Sequence, residues 1–221
     1  MTYREIDISN SPRRAHFEHF RHAPNPHVGV TVDVDVTDFV RLCKDRGWSF
    51  YPAFIRVAAQ AANAVPELRR RIRGDRVVEY ERCDTSHIEL LENGAYCYCT
   101  LRHDPAQGWE DYLAYAAAQR ASARAGASIE EEEDVESLLF ISTVPWLHYR
   151  SISQPNFGPD ASNPAITWGK YEPDYRGRLM MPVSLLVHHS LVDGLQIAAF
   201  YRELEAQLKE IRDKQQGTSN K

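Results

Sequence analysis

The sequence predicts an α+β protein in which helices cover a mixed, largely buried β-sheet. Three observations predict it. Val30, Val32, Val34 and Val36 alternate with Thr31, Asp33 and Asp35, the period of a half-buried strand. Between Tyr51 and Ala64, Phe54, Ile55, Val57, Ala58, Ala61 and Ala62 recur at helical spacing. From Leu179 to His188 the chain is almost continuously apolar, as a buried central strand requires.

The remaining elements follow in order. Thr37 precedes Asp38-Phe39-Val40-Arg41-Leu42, which reads as an N-cap and a short helix ending near Gly47. Pro52 sits near the start of the next helix, where its missing N–H costs little, and Pro66 closes that segment. Gly74-Asp75 between Ile72 and Val77-Val78 predicts a hairpin over Arg71 to Tyr80. Short strands are expected at His87 to Leu91, Ala95 to Leu101 and Leu138 to Thr143. Trp109 to Arg124 is Ala-rich and reads as a helix broken at Gly126. Gly194 to Gln215 reads as a terminal amphipathic helix. One domain over residues 1–221 is expected, with about 212–221 a frayed tail.

Composition narrows the function. A net charge of −5 argues against a nucleic-acid binder, whose affinity comes from a basic surface. The run Arg69-Arg70-Arg71 with Arg73 and Arg76, and the acidic run Glu130 to Asp134, both read as solvated faces. No segment approaches the ~20 apolar residues that span a bilayer, and the N-terminus lacks the apolar core of a signal peptide, so a cytoplasmic location is expected. Cys97 and Cys99 share one face of a strand and read as core residues; Cys43 and Cys83 complete no zinc knuckle, and no metal is expected.

The densest chemistry lies in Val187-His188-His189-Ser190-Leu191-Val192-Asp193-Gly194, at the end of the buried strand. Histidine is the side chain best suited to remove a proton near neutral pH, and an apolar approach disfavours its charged form. Asp193 has three readings: shaping the turn, pairing with a cation or orienting a histidine. Two histidines at a strand end are commonly core or turn residues. Neighbours on a strand face opposite ways, which counts against both binding one metal ion.

His188-His-Ser-Leu-Val-Asp-Gly194 resembles the HHxxxDG signature of the chloramphenicol acetyltransferase family. Other stretches match in the family's order: Arg13-Arg-Ala-His-Phe-Glu18, Phe50-Tyr-Pro-Ala-Phe54 and Asn63-Ala-Val-Pro-Glu-Leu-Arg69. Further along come Ile141-Ser-Thr-Val-Pro-Trp146, Ile166-Thr-Trp-Gly-Lys-Tyr171 and Leu179-Met-Met-Pro-Val183. The resemblance runs from about Ile6 to the last helix. It implies the coenzyme-A-dependent acyltransferase fold and acetyl-CoA as co-substrate. It also implies transfer to a small-molecule hydroxyl, with chloramphenicol the leading acceptor and antibiotic resistance the associated phenotype.

By the resemblance, His189 is the general base, Ser142 stabilises the oxyanion and Thr167 contributes through a bound water. Asp193 forms a buried ion pair with Arg13 that shapes the catalytic loop. Lys170 and Tyr171 lie near the nucleotide end of coenzyme A. The acceptor pocket falls on His19, Phe20, Tyr96, Ile152 and Gln154, and here the match thins. A family tryptophan is Ser11, and the alignment between Trp146 and Pro164 needs a gap. Histidine and glutamine in the lining favour a more polar acceptor, the first alternative; the second is a non-catalytic trimeric relative. The resemblance further implies a homotrimer with active sites at subunit boundaries, and neither nucleic acid nor membrane as partner.

Overall fold

The apolar run from Leu179 to His188 is a central strand buried on both faces, which is why it contains so little polar sequence. The structure is a computed structural model that describes residues 1–130, 134–155 and 158–218. Strand β10 (Leu179–His188) lies antiparallel to β2 (His27–Asp35), with His188 opposite His27, and antiparallel to β8 (Ala165–Gly169), with Ser184 opposite Thr167. Beyond β8, strand β7 (Leu138–Val144) and then β5 (Asp84–Leu90) run parallel to their inner neighbours. Strand β6 (Tyr96–Leu101) closes the edge antiparallel to β5. The order is β2-β10-β8-β7-β5-β6, with β9 (Glu172–Pro173) pairing the start of β10.

One face of this mixed sheet carries the core. Helix α3 (Phe50–Ala64) buries ten of its fifteen residues, and its Phe54 ring stands 4.9 Å from Trp168 of β8. Helix α5 (Gly194–Thr218) packs beside α3, where Ala58, Ala61 and Ala62 permit close approach. The Tyr201 hydroxyl of α5 lies 2.8 Å from the Val30 carbonyl and 2.9 Å from that of Val183. Helix α4 (Trp109–Gly126) covers β5 and β6, and its Arg120 and Arg124 meet the buried Glu89 carboxylate. Cys97 and Cys99 lie on this buried side.

A second, three-stranded sheet joins β1 (Tyr3–Ile6), β4 (Arg76–Tyr80) and β3 (Arg70–Arg73), the last two linked through Gly74 at φ 57°. It corrects the reading of the basic run as a solvated face. Only Arg76 of that run stays well exposed. Arg71 is fully buried and donates to the carbonyls of Leu68, Arg70, Glu136 and Leu138. Arg70 pairs with buried Glu79, and Arg73 with Glu136 and Asp134. The segments around Leu68 and Glu136 that converge here leave carbonyls that need donors, and guanidinium forks supply several at once. Of the acidic run, residues 131–133 lie outside the described residues, as do 219–221 of the expected tail.

Two helix boundaries also differ from expectation. Helix α2 (Thr37–Arg46) begins at Thr37 rather than after it, because the Thr37 hydroxyl donates to Asp35 and accepts the Leu179 N–H instead of capping. It ends at Gly47, which is left-handed at φ 66°. In α4, Gly126 remains helical and the left-handed turn falls on Ala127, at φ 31°.

Candidate active site

The segment from His188 to Gly194 is built where β10 runs out. The His189 N–H donates to the Pro26 carbonyl at 2.7 Å, tying the segment to the start of β2. The N–H groups of Leu191 and Val192 then fold back onto the His188 carbonyl, which makes the turn. Asp193 starts α5: its carboxylate accepts the Leu195 N–H at 2.9 Å, and the Gln196 side chain takes the Asp193 N–H at 3.1 Å. This is a capping box, and the Asp-x-x-Gln spacing that signals it was present in the sequence.

The other Asp193 oxygen accepts from Arg13, which helix α1 (Arg14–Arg21) places beside it. The pair is partly exposed in the single chain, at 23% and 32% of the two side chains, rather than buried as expected. One Arg13 nitrogen, Nη2, is buried and has no hydrogen-bond partner among the described residues. Arg13 and the cap hydrogen bond together hold the Asp193 carboxyl below its usual range.

The two adjacent histidines are held in different ways. The His188 ring donates from Nε2 to the Pro159 carbonyl at 2.8 Å, and its Nδ1 meets the Ser190 hydroxyl at 2.8 Å. Burial pushes its pKa down to about 4, so it is neutral at physiological pH. The half-buried His189 ring places Nδ1 3.0 Å from the Val192 carbonyl. A carbonyl only accepts, so Nδ1 carries the proton and Nε2 keeps an open lone pair. Phe20 lies 4.1 Å from the ring between centroids, and His16 stands edge-on at 5.0 Å while donating from Nε2 to the His189 carbonyl at 2.6 Å. His16 lies inside the motif Arg13 to Glu18, and only the packing of the His189 ring reveals its place in the site.

The hydroxyls lie elsewhere. Ser142 of β7 is directly opposite Thr167 of β8, Thr167 opposite Ser184 of β10, and Ser184 opposite Thr31 of β2. Residues in such a row face the same way, here the side of the sheet away from α3 and α5. Thr167 is buried and Ser142 half-buried. Ser184 is five residues before His189, so the row lies roughly 17 Å along β10 from His189. Ser184, Thr31 and Tyr149 escaped the sequence reading because alternation marks them only as ordinary strand or loop hydroxyls.

The groove on this face holds about 430 Å³, and its lining includes His27, Thr31, Arg150, Ile152, Gln154 and Ser184. Ile152 and Gln154 thus share one hollow, while Phe20 lies at the histidine and the exposed His19 stacks edge-on against Phe20. Tyr96 is on β6, four strands beyond β10, and half exposed. Lys170 is exposed beside Glu172, with 3.0 Å between Nζ and Oε1. The half-buried Tyr171 ring packs 5.7 Å from Phe50. Among the described residues no helix is long and apolar enough to cross a membrane.

The family model described as chloramphenicol acetyltransferase matches residues 1–205. Chloramphenicol acetyltransferase 3 of Escherichia coli is 30% identical over 210 residues, 93% of this chain and 96% of that protein. A chloramphenicol acetyltransferase of Klebsiella sp is 27% identical, with 92% of each chain covered. A solved chloramphenicol acetyltransferase matches with a TM-score of 0.79 at 28% identity, over 94% of this chain and 100% of the other. A probable dihydrolipoamide acetyltransferase from Listeria monocytogenes shares the fold, with a TM-score of 0.68 at 20% identity over 94% and 95% of the two chains. With a family match spanning nearly its whole length, the chain belongs to the chloramphenicol acetyltransferase family and is an acyltransferase.

Proposed function

We propose that the protein transfers the acetyl group of acetyl-CoA to a hydroxyl of a small molecule, with chloramphenicol as the acceptor. The observation that carries this reading is the tautomer of His189: Nδ1 is committed to the Val192 carbonyl and Nε2 is left to accept a proton. In this mechanism Nε2 takes the acceptor's hydroxyl proton as the oxygen attacks the thioester carbonyl. The Ser142 hydroxyl donates to the resulting oxyanion, and Thr167 supports it through a water. The tetrahedral intermediate collapses by breaking the carbon–sulfur bond, and the departing thiolate recovers the proton from His189. No acyl-enzyme is needed, since both substrates meet in one ternary complex. Lys170 and Tyr171 serve the nucleotide end of coenzyme A.

The roughly 17 Å between His189 and the hydroxyl row supports a site shared between chains, each supplying one half. A homotrimer provides this. The exposed Leu90, Tyr96, Trp146 and Leu147 supply apolar surface for its contacts.

The polar lining from His27, Arg150 and Gln154 favours a second reading, a more polar hydroxyl acceptor on the same chemistry. Loss of thioester absorbance from acetyl-CoA, followed with and without chloramphenicol, tests both. Loss that requires chloramphenicol and disappears in His189→Ala supports the first reading. Loss only with more polar alcohols moves the acceptor to the second. Turnover at the wild-type rate in His189→Ala removes the base.

A further inference from the structure

The hydroxyls beneath the groove are joined in a chain whose proton directions are fixed at one end. The Tyr149 hydroxyl lies 2.9 Å from the Thr167 carbonyl, which only accepts, so the single phenolic proton goes there. The Ser184 hydroxyl, 3.1 Å away, must then donate to the Tyr149 oxygen. Ser184 has spent its proton, so the Thr31 hydroxyl, 2.7 Å from it, must donate to Ser184. What remains at the groove end is the Thr31 oxygen with lone pairs and no proton to offer. Ser184 is 4% exposed, so water has little access to reverse the sequence. Burial also raises the Tyr149 pKa, which keeps the phenol protonated and donating at neutral pH.

The geometry around the chain makes room for a ligand. Gly29, two residues before Thr31 on the same face of β2, has no side chain, and a Cβ there would stand 3.2 Å from Leu186. Thr31, Gly29, Leu185 and Leu186 therefore line a hollow that faces Arg150 and Gln154 on the opposite wall.

We infer that Tyr149 is a specificity-determining residue of the acceptor groove: it orients the Ser184 and Thr31 hydroxyls in one direction, so that the floor accepts hydrogen bonds and selects an acceptor presenting a hydroxyl or amide N–H to Thr31. This rests on the acyl-transfer reading and names the kind of acceptor it takes. Chloramphenicol carries both donor types and is the probe.

The test measures steady-state kinetics with acetyl-CoA and chloramphenicol, together with calorimetric binding of chloramphenicol. The variants are Thr31→Val, Thr31→Ser, Tyr149→Phe and the double variant, each checked by thermal melting. Thr31→Val keeps the shape and deletes the terminal oxygen. It raises the acceptor's KM about tenfold, with a smaller change in kcat and none in the KM of acetyl-CoA. Thr31→Ser restores binding. Tyr149→Phe frees the Ser184 proton and raises the acceptor's KM several-fold, and the double variant is no worse than Thr31→Val, because both act through one atom. A wild-type acceptor KM in Thr31→Val, or effects that multiply in the double variant, overturns the inference and leaves acyl transfer standing. Wild-type protein that neither binds nor acetylates chloramphenicol overturns the acceptor reading, and this inference with it.

Discussion

The two halves of the site are made by different physics. At the His189 end, a turn and a helix cap made of short-range hydrogen bonds are pinned by the Pro26 carbonyl and by Arg13, His16 and Phe20 at the start of the chain. The hydroxyl row has no such local device: Ser142, Thr167, Ser184 and Thr31 come from four strands, and only the sheet register aligns them. One half combines a short-range turn and cap with a few long-range anchors, and the other rests on long-range strand pairing alone. In the proposed mechanism each is incomplete for acyl transfer, since a base without oxyanion donors, or donors without a base, lacks half of the transition-state stabilisation.

The largest expected effect tests that division directly. His189→Ala and Ser142→Ala should each lower kcat by roughly 10² to 10³ or more while leaving the fold intact. If the halves belong to different chains, co-expressing the two variants rebuilds sites from an intact Ser142 and an intact His189. Random pairing around a cyclic assembly then returns about a quarter of the wild-type rate. Mixed preparations no more active than the better parent would place both halves of each site in one chain.

A smaller effect separates the two duties of Asp193. Asp193→Asn keeps an oxygen for the Leu195 N–H but weakens the Arg13 pair, whereas Asp193→Ala loses both. Melting temperatures should fall in the order wild type, Asn, Ala, with the step from Asn to Ala near the ~1 kcal/mol of a lost cap. Activity should fall at the Asn step already, because Arg13 couples α1, and with it Phe20, to the His189 turn. Equal melting of Asn and Ala would remove the cap from the account.

The same contrast explains what could be read from the sequence. Whatever carried a pattern along the chain was legible: alternation marked β2, an apolar run marked β10, and His189, Asp193, Arg13, Ser142 and Thr167 came from motifs that resemble the family's. The parts that depend on long-range pairing were not. Strand β8 is five residues long and supplies the motif Thr167, yet it was not foreseen as a strand, since its sheet position comes from partners in β7 and β10. Strand β1 has no buried residue, so no hydrophobic period announced it. Arg71 read as surface because its type is usually exposed; the four carbonyls that bury it come from segments up to 67 residues away. Tyr149 carried no signal at all, because its value lies in two hydrogen bonds to separate strands.

The smallest effect sharpens the comparison inside the histidine pair, by separating a buried ring from the proposed base. Burial holds His188 at about 4, and His103 at about 4 as well, against an unfolded value near 6.5. Between those values the unfolded chain binds protons that the folded chain refuses, so stability falls as pH drops from about 6.5 toward 4. Each histidine contributes up to about 1.4 kcal/mol per pH unit there, or about 3–5 °C of melting temperature for a chain of this size. Glu89, whose carboxylate meets Arg120 and Arg124, titrates at about 2 in the fold and loses its contribution only below about 4.5. The interval from 6.5 to 4.5 therefore isolates the two histidines from this carboxylate. His188→Gln should flatten the melting profile across that interval while wild-type activity at neutral pH is largely kept. His189→Ala should leave the slope in place and abolish turnover. An unchanged slope in His188→Gln would mean that Pro159 and Ser190 hold a ring that protonates in the folded protein, and that the two neighbours differ less than their hydrogen bonds indicate.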